Sequence, residues 1–465
     1  MNVTLAQTAD PVSASRQSSG PPALTRIRPS ELWRAVIIAA VLLYRIALEL
    51  LVHLVTRRYP DRGTAAARGA VRAFEILGPT FVKIGQLIAS APGIFPRRLA
   101  DACLTCLDAV PPFPVSDVRR IVAEDLGCPV AELFPEFDEA PLAAAAIAQV
   151  HACRLPDGRA AVVKVQRPNI RSRMMRDLRI AYRLAAIVER CAPVLARVNA
   201  TGALAELYEI TWAELDFRLE AVRQARFGAT VGAFGDNAGV TTPTVYPELC
   251  GPRVICMERL YGTPIDEFDA LRQRGVDGEL VLRRLVKVWM ESIAVHGLFH
   301  GDLHAGNIWL LDDGRIAYLD FGIMGELQGP WRTLIRDMFR TAAIDGDYTR
   351  VARGLRALDV LPGNSATDEQ LGGMLRMLFG AVLESGLAGV DLGQVLNSVL
   401  QLHRLGAGAA PSELALAGKQ LAYLERYGKE LAPGWVLGKD LFLLRNVFPE
   451  AVAARAAELG FVMPE

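Results

Sequence analysis

His300-Gly-Asp-Leu-His-Ala-Gly-Asn307, then Asp312-Asp-Gly-Arg315, then Asp320-Phe-Gly322, is the stretch around which the 465-residue chain can be ordered. Asp302 and Asn307 lie four intervening residues apart on a polar loop. Two short apolar runs, IWLL (308–311) and IAYL (316–319), flank the DDGR turn and read as a hairpin. That hairpin brings Asp302 and Asp320 to one edge. An aspartate to orient a nucleophile, an amide oxygen for one metal ion and a second aspartate for metal form a set with a clear chemical use. Phosphoryl transfer needs positioned charge more than covalent help. Each piece is short and common; the ordered combination is specific.

Three of the six histidines, His296, His300 and His304, fall in the same stretch. His300 and His304 are four apart, the spacing of a metal pair on a helix. Gly301 and Gly306 disfavour a helix there, so the histidines read as supports of the loop.

Upstream, a second set appears in a fixed order. Lys164 sits in AAVVKVQ (160–166), a strand rich in β-branched residues, and is costly to bury without a partner. Glu220, in ELDFRLEA (214–221), is the candidate partner. With Asp302 these form the expected catalytic set, and Asn307 with Asp320 the expected metal ligands. A strand lysine, a helix glutamate, an H-x-D-x-x-x-x-N loop and D-F-G succeed one another as in protein kinases. Such proteins cover nucleotide phosphates with a glycine-rich hairpin. Here Pro141–His151 reads PLAAAAIAQVH instead. Ala143, Ala144, Ala145 and Ala146 are therefore the candidate phosphate-loop residues, and alanine forbids most positive-φ geometry. The expectation is a stiff, helical loop. Val254-Ile-Cys-Met-Glu258 reads as a strand whose end, Met257 and Glu258, offers backbone groups to adenine.

Bulk composition bounds the rest. Lysine plus arginine and aspartate plus glutamate each number 51, so net charge is zero and gives no support to nucleic-acid binding. Seven scattered cysteines suggest a reducing, cytoplasmic setting. The Cys103-x-x-Cys106 pair lacks a second ligand pair for zinc. No secretory signal is visible. Residues 1–29 are rich in Ser, Pro, Ala and Gly and read as a disordered tail. Residues 30–60 hold LWRAVIIAAVLLYRIALELLVHLV (32–55), long enough for a membrane span. Arg45, Glu49 and His53 recur every four positions, on one helix face. This fits an amphipathic helix on the protein or at a membrane surface better than a span. Val71, Phe74, Leu77, Phe81, Ile84 and Leu87 give 64–90 a helical period. Ser116 is the expected cap of a helix over 116–126. The runs 147–155 and 160–166 flank a PDGR turn as another hairpin. Long helices are expected over 170–195 and 202–230, and strands over 241–246 and 253–258. The chain thus divides into a tail (1–29), an amphipathic or membrane-associated helix (30–60), a helical extension (61–130), an N-lobe (131–262) and a mainly helical C-lobe (263–465). The fold class is α+β: a bilobal protein-kinase-like fold with an N-terminal helical extension.

The sequence resembles the UbiB (AarF-type) atypical kinase family from about residue 64 to 440. The resemblance rests on GPTFVKIGQ (78–86), AAAAIAQVH (143–151), VVKVQRP (162–168), ELDFRLEA (214–221), HGDLHAGN (300–307) and DFG (320–322). The first and fourth are not general kinase motifs. The family implies use of ATP and Mg²⁺, by an ATPase or small-molecule kinase at a membrane, tied to ubiquinone or other isoprenoid-lipid pathways. It also implies that Lys83 and Gln86 approach Glu214 and Asp216, occluding the groove where a kinase holds a protein. The implied partners are nucleotide, isoprenoid lipid or lipid-biosynthesis proteins and a membrane surface, with a peripheral location at the inner face of the membrane. Three departures stand out: Ala146 replaces a serine, Gly301, Leu303 and Ala305 alter the catalytic loop, and Val222-Arg223 stand where an asparagine is common. The altered loop resembles that of aminoglycoside and choline phosphotransferases. A small-molecule phosphotransferase and a non-catalytic ATP-switched scaffold are the alternative readings.

Overall fold

Both Asp-Gly-Arg turns close hairpins, and in the same way. In each, the aspartate Oδ1 accepts the arginine backbone N–H at 3.0 Å, and its Oδ2 accepts from the arginine Nε at 2.7 Å. The intervening Gly158 and Gly314 have φ of 87° and 84°, where a side chain would be strained. Asp157 and Asp313 consequently titrate below the usual carboxylate range, held down first by the Arg159 and Arg315 guanidinium groups.

The computed structural model describes residues 27–90, 95–105, 111–191, 199–327, 329–360, 367–384, 412–436 and 440–460. Most of the tail, and Cys106, lie outside the described residues. The described residues form two compact units. One comprises those up to Leu219 together with Tyr246–Glu258; the other comprises Glu220–Val245 and those from Arg259 onward.

The first unit begins with helices α1 (Pro29–Thr56), α2 (Arg62–Leu77), α3 (Pro79–Ser90), α4 (Arg97–Cys103), α5 (Val115–Leu126) and α6 (Val130–Leu133). The helical period over 64–90 is real but broken: Gly78, at φ 103°, and Pro79 separate α2 from α3. Ser116 is not the cap of α5, which starts one residue earlier, after Pro114, with no side-chain cap. The fixed φ of proline turns the chain into the helix there. Strands β1 (Glu136–Ala144), β2 (Ala148–Arg154), β3 (Ala160–Gln166) and β5 (Val254–Glu258) make an antiparallel sheet in the order β1-β2-β3-β5. Its inner face and α5 bury Val118, Ile121, Phe134, Val163, Val165 and Val254 in one core.

Helices α7 (Ile170–Cys191) and α8 (Ala200–Glu214) follow, then α9 (Phe217–Gly232), which enters the second unit. The single helix expected over 202–230 is two. The break at Leu215–Asp216 arises because the Phe217 N–H is donated to the Pro252 carbonyl at 3.0 Å rather than along a helix. The strand expected over 241–246 is reduced to β4 (Val240–Thr241), since Pro243 removes a ladder donor.

Helix α1 packs its polar face inward. Arg34 holds Asp177 of α7 with two bonds of 2.7 and 3.0 Å and donates to the Leu77 carbonyl. Glu31 pairs with Arg179, and Glu49 accepts from Tyr59. Leu32, Trp33, Val36, Leu43, Leu51 and Val55 are exposed instead. A Cβ at Gly69 would lie 2.6 Å from the Ile46 Cα, so α1 and α2 cross only because Gly69 lacks one.

The second unit holds a sheet in the order β4-β9-β8-β6, from β6 (Gly262–Pro264), β8 (Ile308–Leu311) and β9 (Ile316–Tyr318), and a pair of β7 (Leu298–His300) with β10 (Met324–Glu326). Its helices are α10 (Phe268–Gln273), α11 (Gly278–Glu291), α12 (Gly329–Arg340), α13 (Tyr348–Ala357), α14 (Asp368–Glu384), α15 (Ser412–Leu431) and α16 (Pro449–Glu458). Leu285, Trp289, Phe299, Ile308, Tyr318 and Phe321 anchor its core.

Candidate active site

In the second unit the His300–Asn307 loop leaves β7 and is fixed from below by His300. This ring is fully buried. Its Nδ1 accepts the Asp302 N–H at 3.1 Å, so Nε2 carries the proton and donates to the Leu319 and Asp320 carbonyls at 3.0 and 2.9 Å. One neutral imidazole therefore ties the Asp302 loop to the Asp320 turn. It packs edge-on to Phe321, with Phe227 and Tyr318 close by. His304 is outside this cluster; it accepts the Gly306 N–H and lies 3.6 Å from Asp302. His300 thus supports the loop from below, and His304 caps the turn at Gly306 within it.

Asn307 is buried, and its Nδ2 donates to the Asp302 carbonyl at 3.0 Å. That fixes the amide and leaves its Oδ1 as an oxygen that could ligate a cation. Asp320 has φ 53°, an uncommon conformation that aspartate tolerates better than most residues. Its Oδ1 accepts the Gly322 N–H at 3.1 Å. One carboxylate and one amide oxygen suit Mg²⁺, which takes one or two protein ligands and completes its shell with phosphate oxygens and water.

Four side chains that short motifs did not reveal complete the loop. Helix α15 sends Gln420 to the Leu303 N–H at 2.7 Å and the Gly301 carbonyl at 2.5 Å, and Tyr427 to the Leu303 carbonyl at 2.7 Å. Lys419 on the same helix donates to Asp302 Oδ1 at 2.9 Å. Burial alone would push the Lys419 pKa down, but the Asp302 carboxylate and the Tyr423 hydroxyl together outweigh it and the net shift is upward, so the cation persists. Arg223, in the place where the family commonly has asparagine, donates to the Gly322 carbonyl at 2.9 Å. Leu416, Gln420, Leu424 and Tyr427 do recur at helical spacing, but nothing in that spacing points to a loop over a hundred residues away. Lys419→Met is expected to lower nucleotide turnover roughly tenfold, the worth of about one charge-assisted hydrogen bond, with partial recovery in Lys419→Arg. Turnover at saturating Mg-ATP checks this.

In the first unit Lys164 is buried on β3, with its ammonium 5.3 Å from the Phe217 ring centre. Glu220 is buried in the first turn of α9, within the second unit. The alanine-rich stretch is not helical. Ala143 and Ala144 end strand β1, and Ala145 donates to the Ala148 carbonyl at 2.8 Å in the turn. None of Ala143 to Ala146 adopts positive φ, so alanine suffices where protein kinases use glycine. Arg167 replaces helix formation as the stiffening device: its Nε donates to the Ala145 carbonyl at 2.9 Å and its backbone N–H to the Ile147 carbonyl at 2.8 Å. Strand β5 is an edge strand. The Val254 and Cys256 carbonyls accept from Gly251 and Tyr246, and Glu258 is the next outward position where the chain leaves the unit.

Lys83 on α3 forms an ion pair with the buried Glu214 at the end of α8. Asp216, expected beside it, is instead held by its near neighbour Arg218 through bonds of 2.9 and 2.7 Å. Its burial opposes the ionised form, yet Arg218 brings the net pKa below the ordinary value. Gln86 shares the α3 helix with Lys83.

His151 adds a pH-linked feature. Gln149 Nε2 lies 2.9 Å from His151 Nε2, which accepts, so Nδ1–H donates to the Asp138 carbonyl. Burial holds the pKa of both His151 and His300 below the histidine norm. The unfolded state therefore binds more protons below about pH 6.5, and stability rises with pH through that window. The expected result is a melting temperature that falls from pH 7.5 to 5.5, with a smaller fall in His151→Gln.

A loop presenting Asp302 beside Asn307, an Asp-Phe-Gly turn tied to it, and a strand lysine beside an alanine hairpin define a kinase-like protein of the α+β class. Residues 105–355 match the ABC1 atypical kinase-like domain, and the chain belongs to that family. An uncharacterized protein of Mycobacterium tuberculosis, Rv0647c, is 36% identical over 371 residues, covering 79% of this chain and 75% of its own length. A chloroplastic aarF domain-containing protein kinase of Arabidopsis thaliana is 32% identical over 398 residues, with 79% and 72% covered. A probable protein kinase UbiB of Aeromonas salmonicida is 33% identical over 410 residues, with 86% and 73% covered.

Proposed function

We propose that the protein is a Mg-ATP-dependent kinase or ATPase whose acceptor is a small molecule or water, working in ubiquinone or other isoprenoid-lipid metabolism at the cytoplasmic face of a membrane. The observation that carries the reading is the Asn307 bond to the Asp302 backbone, on a loop tied by His300 to Asp320. In this reading Asn307 Oδ1 and the Asp320 carboxylate hold Mg²⁺, which supplies charge neutralisation for the phosphates when bound. Asp302 orients the attacking hydroxyl and accepts its proton. Lys164 serves the nucleotide phosphates with Glu220 as its counter-charge, and Met257 and Glu258 serve adenine. The Lys83–Glu214 pair supports a small acceptor, because it commits the extension helix to the segment before the Asp216 turn.

The membrane assignment draws on α1, the helix among the described residues that is long and apolar enough to cross a membrane by length and composition. Its exposed apolar face, flanked by Arg28, Arg57 and Arg58, suits an anionic membrane surface with the helix lying flat. The test is turnover of labelled ATP by the full chain with quinone-bearing liposomes, plain liposomes or none. Turnover should rise on quinone-bearing liposomes, and Leu43→Glu should abolish the rise while leaving the basal rate. A labelled small molecule formed in cell extract would select the phosphotransferase reading. Binding without turnover would select the scaffold.

A further inference from the structure

The first unit contains a cavity of about 770 Å³ at the N-terminal end of α7, between that helix, α5, the start of α1 and the Pro252-Arg253 turn. Seven of its lining residues are arginines and two, Glu31 and Asp125, are carboxylates. None of them is among the residues assigned above to ATP or Mg²⁺. Four of the arginines are spoken for: Arg167 donates to the Ala145 and Pro111 carbonyls at 2.9 Å each. Arg253 is held by Asp125 and Glu124, Arg179 by Glu31, and Arg120 by Asp117 and Glu124.

Three are not matched in this way. Arg28 has no ion pair within 4 Å among the described residues. Arg171 has none either; its guanidinium stacks on Trp212 at 4.1 Å, and Asp216, the acid that feels its charge, is already taken by Arg218. Arg176 has a buried Nε without a hydrogen-bond partner; the nearest carboxylate oxygen, of Asp177, is 3.7 Å away and belongs to an acid held by Arg34. A buried guanidinium nitrogen without an acceptor is costly, and like charges lining one cavity repel. Both costs vanish with a bound anion. The cavity also meets the first turn of the 22-residue α7 through Ile170, Arg171 and Ser172, where the helix dipole favours negative charge. Arginine forks and a helix start together match phosphate oxygens. The space exceeds a lone phosphate, and Ile121, Met175, Trp212 and Leu215 give part of the wall apolar character.

We infer that this cavity binds a phosphate-headed amphiphile, gripped by Arg171, Arg176 and Arg28, either as a membrane lipid headgroup or as a free phosphorylated compound. Residues Arg28, Ser30 and Glu31 place the start of α1 on its rim, so the exposed apolar face of that helix begins beside the cavity.

The test uses the full chain and two probes in EDTA: inorganic pyrophosphate by titration calorimetry, and phosphatidylglycerol vesicles by co-sedimentation against phosphatidylcholine vesicles. Wild type is expected to bind at least one. R171Q/R176Q should weaken that binding at least tenfold, whereas R154Q/R455Q, the same charge change outside the cavity, should not. Vesicle binding alone assigns a bilayer headgroup, and pyrophosphate binding alone a soluble ligand. The single R171Q, whose guanidinium stacks on Trp212 and has no ion pair within 4 Å among the described residues, decides if the double variant fails to fold, and should weaken binding at least threefold. Equal binding by R171Q and R154Q, or no binding of either probe by wild type, would overturn the inference.

Discussion

Asp320→Asn is expected to lower Mg-ATP turnover by about 10²- to 10³-fold while leaving the melting temperature within a few degrees of wild type. The fold should survive because asparagine shares aspartate's tolerance of positive φ, the φ of 53° adopted here. Its Oδ1 can still accept the Gly322 N–H, and its backbone carbonyl keeps the His300 bond. Only the negative charge goes. In phosphoryl transfer that charge sets the metal against the phosphates, and losing one preorganised electrostatic contact of this kind costs about 3–4 kcal/mol in the transition state. A coupled ADP-release assay reads the result. Wild-type turnover in Asp320→Asn would remove the metal-ligand role.

The second large effect is on stability. Lys287→Ala is expected to destabilise the second unit by about 3–5 kcal/mol, because it strips the cation from a buried network. Lys287 is 1% exposed and bonds Glu291 at 2.7 Å, Asp236 at 3.1 Å and Asn237 at 2.7 Å. Asn446 and Arg445 tie the same acids to the chain before α16. Without the lysine, Glu291 stays buried with only amide donors. At roughly 2–4 °C per kcal/mol for a unit of this size, the melting temperature should fall on the order of 10 °C. Lys287→Met with Glu291→Leu should recover much of the loss, since removing both charges leaves none uncompensated. A melting temperature unchanged by Lys287→Ala would show that water, rather than Lys287, balances the acids.

The parts of this molecule that were legible in the sequence are those whose physics is local. Asp157-Gly-Arg and Asp313-Gly-Arg specify their turns through one side chain and one positive φ, so both hairpins followed from spacing. Asp302, Asn307 and Asp320 lie within twenty residues and share one loop-and-hairpin unit, which the motif describes. Residues that act across the fold were not legible. Lys419, Gln420 and Tyr427 reach the loop from α15, and Arg223 reaches Gly322 from α9. The alanines at 143–146 carry helical propensity, but pairing with β2 and the Arg167 bonds to Ala145 and Ile147 override it. The period of Arg45, Glu49 and His53 located a polar face on α1. It could not say that this face turns toward the protein, because Asp177, Arg179 and Tyr59, which meet the same helix, are set by tertiary packing.

Handling of Mg-ATP is the property on which the roles of Asn307, Asp320 and Lys164 all depend. Titration calorimetry of the full chain with ATP, in Mg²⁺ and then in EDTA, tests it most directly. Saturable binding at one site is expected in Mg²⁺, weakened at least tenfold in EDTA and in Asp320→Asn. No ATP binding in Mg²⁺ would contradict it.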